Sequence, residues 1–262
     1  MKIVVCVKHV PDVQADRRFT DEGLVDRTQG DGTLNELDEN AVEAALALVE
    51  AHGGEVVALT MGPADAEDAV RRALQMGADQ AVHVQDDALA GSDVFATAGV
   101  LAAALRRIGE DGPVDLVVTG MAALDGLMSV VPSLIAAELG LPQATLAAEL
   151  AVEDGAVRVR RDLDDATEVV RAPLPAVVSV TDQSNQPRYP NFKGIMAARK
   201  KPVTAWSLAD LGVDPATVGA AGARTRVLEA TPRPPRENRV LVNDDGDAGT
   251  RLAAYLVQNR LV

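Results

Sequence analysis

The chain has 262 residues, of which 47% are apolar and 2% aromatic, and its formal net charge at pH 7 is −14. This charge disfavours nucleic acid and anionic membrane surfaces as partners of the chain as a whole, because like charges repel. The length fits one α/β domain of about 180 to 200 residues with an extension. The single cysteine, Cys6, excludes an intramolecular disulfide and a cysteine-based metal cluster.

The N-terminal apolar run, residues 1–8, is too short for a signal peptide, and no small-residue cleavage site follows it. No apolar run approaches the ~18 residues that are needed to span a membrane. We therefore expect a soluble, cytoplasmic protein that does not insert directly into a membrane.

Strands and helices alternate four times over residues 1–140. Short β-branched runs predict strands at 2–8, 56–60, 80–84 and 114–119. Periodic apolar residues between helix start and stop signals predict helices at 35–52, 63–76, 92–108 and 130–139, with Asn35 as a helix cap. This alternation with short links predicts a parallel sheet with helices on both faces.

Between the first strand and the first helix lies a polar stretch, residues 12–33, that is rich in Asp and Gly. It is too long for an ordinary connection between a strand and a helix. It is either a functional loop or a small hairpin around residues 31–32.

The pattern changes after Pro142. Segments 146–153, 156–161, 168–172 and 175–181 are short and β-branched, which predicts β-rich additions to the α/β domain. From about Lys200 the only clear helix is 248–259, and the proline-rich stretch 231–236 excludes a helix or a central strand.

We therefore divide the chain into a nucleotide-binding α/β domain, residues 1–200, and a C-terminal arm, residues 201–262. The arm carries apolar side chains without enough regular structure to bury them internally, so we expect it to pack on a partner protein. A disordered tail is the alternative. The apolar side chains in question are Trp206, Leu208, Leu211, Tyr255 and Leu256.

Ligands of an open parallel sheet bind outside the carboxyl ends of its strands. Here those ends are residues 7–10, 60–63 and 119–126. Gly62 and Gly120 permit close backbone approach, and the following helix starts offer free N–H groups to an anion. Neither a P-loop nor a G-x-G-x-x-G fingerprint is present. The residues alone thus predict an edge that can hold a nucleotide, and disfavour a P-loop NTPase.

Few side chains point to catalysis. The three histidines lack metal-ligand spacing, and only His9 lies at a strand end. Cys6 lies inside a buried strand, where burial makes a thiol inert. Asp125 is either a turn residue or a hydrogen-bonding group of a nucleotide loop. The basic run 199–201 is either a solvated surface or a contact for an acidic partner or phosphate.

Phe192 lies in a segment, residues 185–194, whose prolines, asparagines and glycine predict a loop. Two interpretations remain open. The side chain either packs into the core or is an exposed aromatic anchor for another protein.

Three runs, 174–180, 185–190 and 195–202, closely resemble the signature of electron-transfer flavoprotein β subunits, which reads LPAV, N-x-P-R and IM-x-A-K-K-K. Smaller matches occur at 7–12, 35–43, 62–63, 73–79 and 120–125. The resemblance covers essentially the whole chain.

The resemblance implies an adenine-nucleotide-hydrolase-like α/β fold and a heterodimer with an α subunit. The α subunit would make most contacts to a redox-active FAD, and this chain would bind AMP structurally without catalytic residues of its own. The heterodimer would accept electrons from dehydrogenases, typically the acyl-CoA dehydrogenases of fatty-acid oxidation. It would pass them to a membrane quinone oxidoreductase.

By motif position, the resemblance also implies individual site residues. The AMP contacts are Cys6, Asn35, Glu36, Leu37, Asp38, Met61, Gly120, Met121, Ala122, Ala123, Leu124, Asp125, Gly126, Leu127, Met128, Ser129, Val130 and Val131. The partner-recognition residues, in a loop at about 184–200, are Tyr189, Pro190, Asn191, Phe192, Lys193, Gly194 and Ile195. Phe192 takes the position of a protruding apolar anchor, and Asp162 that of a carboxylate facing the mobile flavin domain of the α subunit.

One segment departs from the family pattern. Residues 126–132 are mostly apolar, where many family members have Asp, Asn and Gln. Backbone N–H groups would therefore carry more of the phosphate binding. Some members bind a second FAD at this site and bifurcate electrons, so AMP is favoured with a second FAD as the alternative. An adenine-nucleotide-hydrolysing enzyme would need a Ser-Gly-Gly type loop, which residues 8–11 do not provide. A nucleotide-sensing stress protein would lack the proline-rich arm.

Overall fold

The computed structural model describes residues 1–28, 31–235 and 241–262, which form two units, 1–228 and 229–262. The strands are β1 Lys2–Cys6, β2 His9–Pro11, β3 Gly32–Leu34, β4 Glu55–Met61, β5 Gln80–Val84, β6 Leu116–Gly120, β7 Gln143–Ala147, β8 Glu149–Glu153, β9 Ala156–Asp162, β10 Thr167–Pro173, β11 Ala176–Val180 and β12 Val203–Trp206. The helices are α1 Glu36–His52, α2 Glu67–Met76, α3 Val94–Ile108, α4 Val131–Leu139, α5 Phe192–Ala198, α6 Gly219–Gly222 and α7 Ala248–Gln258.

A seven-stranded parallel sheet, in the order β12-β5-β4-β1-β6-β11-β7, organises the first unit. Its central strand β1 has Ile3, Val4 and Val5 fully buried, because helices cover both faces. Alternate residues contribute to two core clusters, with Ile3 and Val5 on the side of α1 and α2 and Val4 on the side of α3 and α4. The α/β class predicted from the alternation of elements is confirmed.

The polar stretch after β1 is an excursion closed at its base. Strands β2 and β3 pair antiparallel, with His9 opposite Leu34 and Pro11 opposite Gly32. A side chain at position 32 would collide with the His9 ring, since a Cβ there would lie 2.1 Å from Cε1. The paired segments are thus residues 9–11 and 32–34, which close the base of the excursion.

The β-rich additions form two structures. Strands β8, β9 and β10 make an antiparallel sheet, while β7 and β11 join the parallel sheet. The predicted single segment 146–153 is therefore wrong, because it is divided between β7 and β8. Leu146 has a left-handed backbone (φ 61°) near the division.

The expected arm also needs correction. Residues 203–228 belong to the α/β unit, because β12 pairs in parallel with β5 at the sheet edge. Leu208 is fully buried, and Trp206 and Leu211 pack against the core cluster that contains β1 and α3 residues. The chain itself therefore covers Leu208 fully and the Trp206 and Leu211 side chains in part. The compact unit ends at Leu228, not at residue 200.

The second unit, residues 229–262, contains the predicted C-terminal helix as α7. Its Leu252, Tyr255 and Val257 side chains are exposed. Residues 231–235 have neither helix nor strand, as expected, and residue 236 of that proline-rich stretch lies outside the described residues. Within the described ranges, no helix is both long enough and apolar enough to span a membrane.

Candidate nucleotide edge and recognition segment

The first turn of α1 organises the carboxyl ends of the sheet strands. Asn35 precedes this helix and is fully buried. Its amide donates a hydrogen bond to the Ala122 carbonyl (2.9 Å), and its side-chain oxygen accepts one from the Leu124 N–H (3.0 Å). Asn35 occupies the cap position, but its side chain makes no capping bond to its own helix, contrary to expectation. It instead holds the loop that follows β6.

Asp38, one turn further on, ties β1 to β6. Its buried carboxylate accepts hydrogen bonds from the backbone N–H of Lys8 (2.8 Å) and of Gly120 (3.2 Å). Burial raises the pKa of Asp38 to about 7, although these N–H groups and the Asn35 side chain oppose the rise. A Cβ on Gly120 would lie 2.5 Å from Asp38 Oδ1 and 2.7 Å from the Leu37 carbonyl. Glycine is therefore required here by close packing.

Asp125 is a buried ion-pair partner. Its carboxylate lies 2.9 Å from Lys8 Nζ and 2.6 Å from Arg27 Nε. Burial acts to raise its pKa, but the two cations outweigh that effect and the pKa is lowered. Arg17 donates from NH1 to the Leu124 carbonyl at 2.6 Å. The excursion is thus fastened to the loop after β6 through Arg17 and Arg27.

Sequence reasoning missed Arg17 and Arg27 as parts of this edge, and it placed Lys8 there without its ion pair to Asp125. Arg27 reaches a partner 98 positions away, and Lys8 one 117 positions away. The available signal was a group of cations in the excursion, Arg17, Arg18 and Arg27, within a strongly acidic chain. That signal does not identify the partner.

The remaining predicted nucleotide residues converge on the same edge. Cys6 pairs in register with Leu59 of β4 and Thr119 of β6, so Cys6, Met61 and Gly120 end neighbouring strands. Burial, and secondarily the charge of Asp38, raise the pKa of the Cys6 thiol to about 12. A thiol in this state does not act as a nucleophile near neutral pH.

The outer part of the loop is open to solvent. Leu127 and Met128 are exposed, and Leu127 and Ser129 have left-handed backbones (φ 52° and 55°). Helix α4 follows with Pro132 in its first turn and without a side-chain cap. Uncapped N–H groups at a helix start suit an anionic phosphate. The residues present therefore fit a nucleotide that is held mainly by backbone groups.

The recognition segment, which we define as residues 181–198, contains a helix that was not predicted. Its first part lacks regular structure. Helix α5 then begins at Phe192, and the preceding Asn191 Oδ1 accepts a hydrogen bond from the Gly194 N–H (2.9 Å).

The two aromatic side chains of this segment are exposed to solvent, that of Phe192 to 79% and that of Tyr189 to 85%. The core alternative for Phe192 is thus excluded within this chain. The Arg72 guanidinium lies 5.2 Å from the centre of the Tyr189 ring.

Other predicted recognition residues have different environments. Pro190 is buried, Lys193 is exposed, and Gly194 lies so close to α2 that a Cβ would be 2.7 Å from the Gln75 carbonyl. Asp162 ends β9 in the three-stranded sheet, where it forms an ion pair with Arg160.

The basic run 199–201 does not act as a single surface. Lys201 Nζ donates to the carbonyls of Gly77 (3.1 Å) and Ala78 (2.6 Å) at the end of α2. This is the cationic contact that a helix C-terminus favours. Arg199 and Lys200 are exposed.

The geometry defines an α/β domain with a buried, hydrogen-bonded loop region at the carboxyl ends of its strands and with exposed aromatics on a separate segment. The family model described as the electron transfer flavoprotein domain matches residues 23–211. The electron transfer flavoprotein subunit beta of Mycobacterium leprae is 44% identical over 266 residues, covering 99% of each chain. The Caffeyl-CoA reductase-Etf complex subunit CarD of Acetobacterium woodii is 36% identical, covering 88% of this chain and 87% of that protein.

The chain therefore belongs to the electron transfer flavoprotein family, among its β subunits. The resemblance stated from the sequence motifs is confirmed. Electron transport within a flavoprotein is the role that this membership establishes.

Proposed function

We propose that this chain pairs with an α subunit to form a heterodimer that accepts electrons from dehydrogenases of the acyl-CoA type. The heterodimer passes them toward the respiratory chain through a quinone oxidoreductase. In this assignment the chain binds AMP as a structural ligand, and the α subunit holds most of the FAD. The FAD supplies the redox chemistry, and the residues of this chain bind the AMP and position the partner proteins.

The observation that carries the AMP assignment is the cradle around Asn35 and Asp38. Their side chains fix the loop after β6 by bonds to Ala122, Leu124 and Gly120. The backbone of residues 126–131 and the start of α4 would hold the phosphate, since this part of the loop lacks charged side chains. Cys6, Met61 and Leu37 would line the same edge.

The chemistry of the edge supports a structural role for the nucleotide. Of the cations at the loop, Lys8 and Arg27 are committed to Asp125 and Arg17 to the Leu124 carbonyl. The Cys6 thiol has a raised pKa and stays protonated near neutral pH. Neither arrangement provides an activated group for hydrolysing a nucleotide.

Two exposed apolar surfaces support the partner assignments. Tyr189 and Phe192 form the recognition surface proposed for the dehydrogenase, because buried aromatic anchors dominate the energetics of protein interfaces. The exposed apolar residues of α7 form the surface proposed for the α subunit. The proposed arm is thereby restricted to residues 229–262.

The test is to purify the heterodimer, denature it, and separate the released nucleotides by chromatography. We expect one FAD and one AMP per heterodimer. Two FAD and no AMP would instead establish the bifurcating alternative. One FAD without a second nucleotide would contradict any nucleotide site in this chain.

A further inference from the structure

One residue connects the recognition segment to α1 by five hydrogen bonds. Arg188 donates to Glu43 from its backbone N–H (3.0 Å), from Nε (2.7 Å) and from NH2 (2.9 Å). It also donates to Glu50 from NH1 (2.6 Å) and NH2 (3.1 Å). The two glutamates lie two turns apart on one face of α1. The guanidinium thus bridges both carboxylates in the paired geometry that makes such contacts strong and directional.

The hydrogen bonds between Arg188 and the two glutamates favour the charged forms of these side chains. The hydrogen bonds that Arg188 donates to Glu43 and then to Glu50 raise the pKa of Arg188 further above its already high value, and the bond that Glu50 accepts from Arg188 lowers the pKa of Glu50. Glu43 is largely buried, so its carboxylate depends on Arg188 as its charged partner.

A second connection lies three residues earlier. The amide of Asn40 donates to the backbone carbonyl of Asn185 (3.0 Å), and the amide of Asn185 donates to the backbone carbonyl of Asn40 (3.0 Å). Two residues of the irregular part of the segment, Asn185 and Arg188, therefore bind to α1.

The exposed aromatics follow directly from these fixed points. Tyr189 is the next residue after Arg188, and Phe192 opens α5 three positions later. The backbone between them contains Pro190, which fixes one of its torsion angles. Between the α1 contacts and the close packing of Gly194 on α2, little chain remains free to move. The backbone position of Phe192 is consequently set by Arg188 on one side and by the packing of Gly194 on α2 on the other.

We propose that Arg188 is a positioning residue for electron transfer, which holds the recognition segment in the conformation that docks into an apolar pocket of the donor dehydrogenase. This inference rests on the proposed role of Phe192 in donor recognition. Arg188 itself does not touch the donor in this proposal. It raises the fraction of molecules in which the segment is ready to dock, and the apparent affinity for the donor scales with that fraction.

Lysine cannot replace Arg188 in this geometry, because one ammonium group cannot bridge two carboxylates as a planar guanidinium does. Arg188→Lys keeps the charge but loses the bridge, and Arg188→Gln loses both. The pair of variants separates the effect of charge from that of geometry. Arg158→Gln is the matched control, since Arg158 forms a single exposed ion pair with Glu153 in the three-stranded sheet.

The experiment measures reduction of the purified heterodimer by an acyl-CoA dehydrogenase of the same organism, with octanoyl-CoA as reductant. We expect Arg188→Gln to raise the KM for the heterodimer about tenfold, at an unchanged kcat, because loss of charge-assisted bonds lowers the docking-ready fraction. The KM of Arg188→Lys should lie between those of Arg188→Gln and wild type, and the KM of Arg158→Gln should equal that of wild type. Hydrogen exchange of residues 181–191 in the heterodimer should be faster in Arg188→Gln.

Phe192→Ala is measured beside these variants, because it distinguishes an error about the recognition surface from an error about the positioning role of Arg188. If Phe192→Ala also leaves the KM unchanged, the recognition surface itself is wrong. If Phe192→Ala raises the KM while Arg188→Gln behaves like Arg158→Gln, only the positioning role is overturned. Should Arg188→Gln fail to assemble, Glu50→Gln removes the outer half of the bridge, and an unchanged KM in that variant overturns the proposal.

Discussion

Helix α1 holds two regions of the molecule by two different kinds of bond. At its start, the buried side chains of Asn35 and Asp38 bind backbone groups at the ends of β1 and β6. Along its outer face, Glu43 and Glu50 bind Arg188 through ion pairs that reach solvent. One helix therefore positions the candidate nucleotide edge from within the core and the recognition segment from the surface.

The difference determines how each region responds to its surroundings. Buried hydrogen bonds lie in a low dielectric, so breaking one leaves an unpaired polar group at high cost. Exposed ion pairs are screened by salt and contribute less. The nucleotide edge should accordingly behave as part of the core, while the recognition segment can adjust without unfolding the domain.

The largest effect is expected from Gly120→Ala, which introduces a Cβ against Asp38 and the Leu37 carbonyl. Relief requires a shift of backbone, so the variant should lose about 1–3 kcal/mol of stability. It should also retain less nucleotide. Gly99→Ala is the control, because a Cβ at this position meets no atom within 4 Å. Gly99 lies within α3, where alanine favours the helix more than glycine does. That control should gain roughly 0.5–1 kcal/mol. Thermal melting and nucleotide content of both heterodimers test the pair.

The next effect concerns the pH dependence of stability. Because the pKa of Asp38 is raised from 3.8 to about 7, the folded state binds more protons than the unfolded state between these values. The free energy of unfolding therefore falls as the pH rises through that window. Between pH 5 and 8, wild type should lose about 2.5 kcal/mol relative to Asp38→Asn, which does not titrate. Denaturant unfolding at both pH values measures this, and parallel pH profiles would show that Asp38 is not the titrating group.

The smallest effect is expected at the excursion. Arg27→Gln removes one of two cations from buried Asp125 but leaves Lys8 in place, so the loss of stability should be about 1 kcal/mol. Release of the nucleotide should become faster, since the excursion is then fastened by Arg17 alone. Arg18→Gln, an exposed arginine of the same excursion, serves as the control. Equal release rates in the two variants would contradict a fastening role for Arg27.

The sequence predicts the parts of the fold that repeat locally. Helices α1 to α4 and strands β1, β4, β5 and β6 follow from apolar periodicity and from helix start signals. Strand β12 does not, because its four residues become a strand only through pairing with β5, more than 100 positions earlier. The same reason explains why Trp206, Leu208 and Leu211 were wrongly expected to pack on a partner protein.

The candidate site shows the same division. Motif positions identify the loop after β6 and the start of α1, whose backbone roles are local. The partners of Asp125 and Arg188 could not be predicted, because ion pairs between distant segments leave no periodic signal. Helix α5 was missed because Pro190 and Asn191 indicate a loop, whereas Asn191 in fact caps the helix that follows.

The contacts that α1 makes through Asp38 at its start and through Glu43 and Glu50 further along also constrain where residues can be inserted or deleted. Each residue inserted in a helix turns everything beyond it by about 100° and advances it by about 1.5 Å. An insertion between Asp38 and Glu43 would swing the glutamates away from Arg188 while leaving the nucleotide cradle intact. The excursion between β2 and β3 is constrained less strictly, because its ends meet at the paired base and its other contacts run through the long side chains of Arg17 and Arg27. Changes in chain length should therefore accumulate in the excursion and be absent from the first two turns of α1.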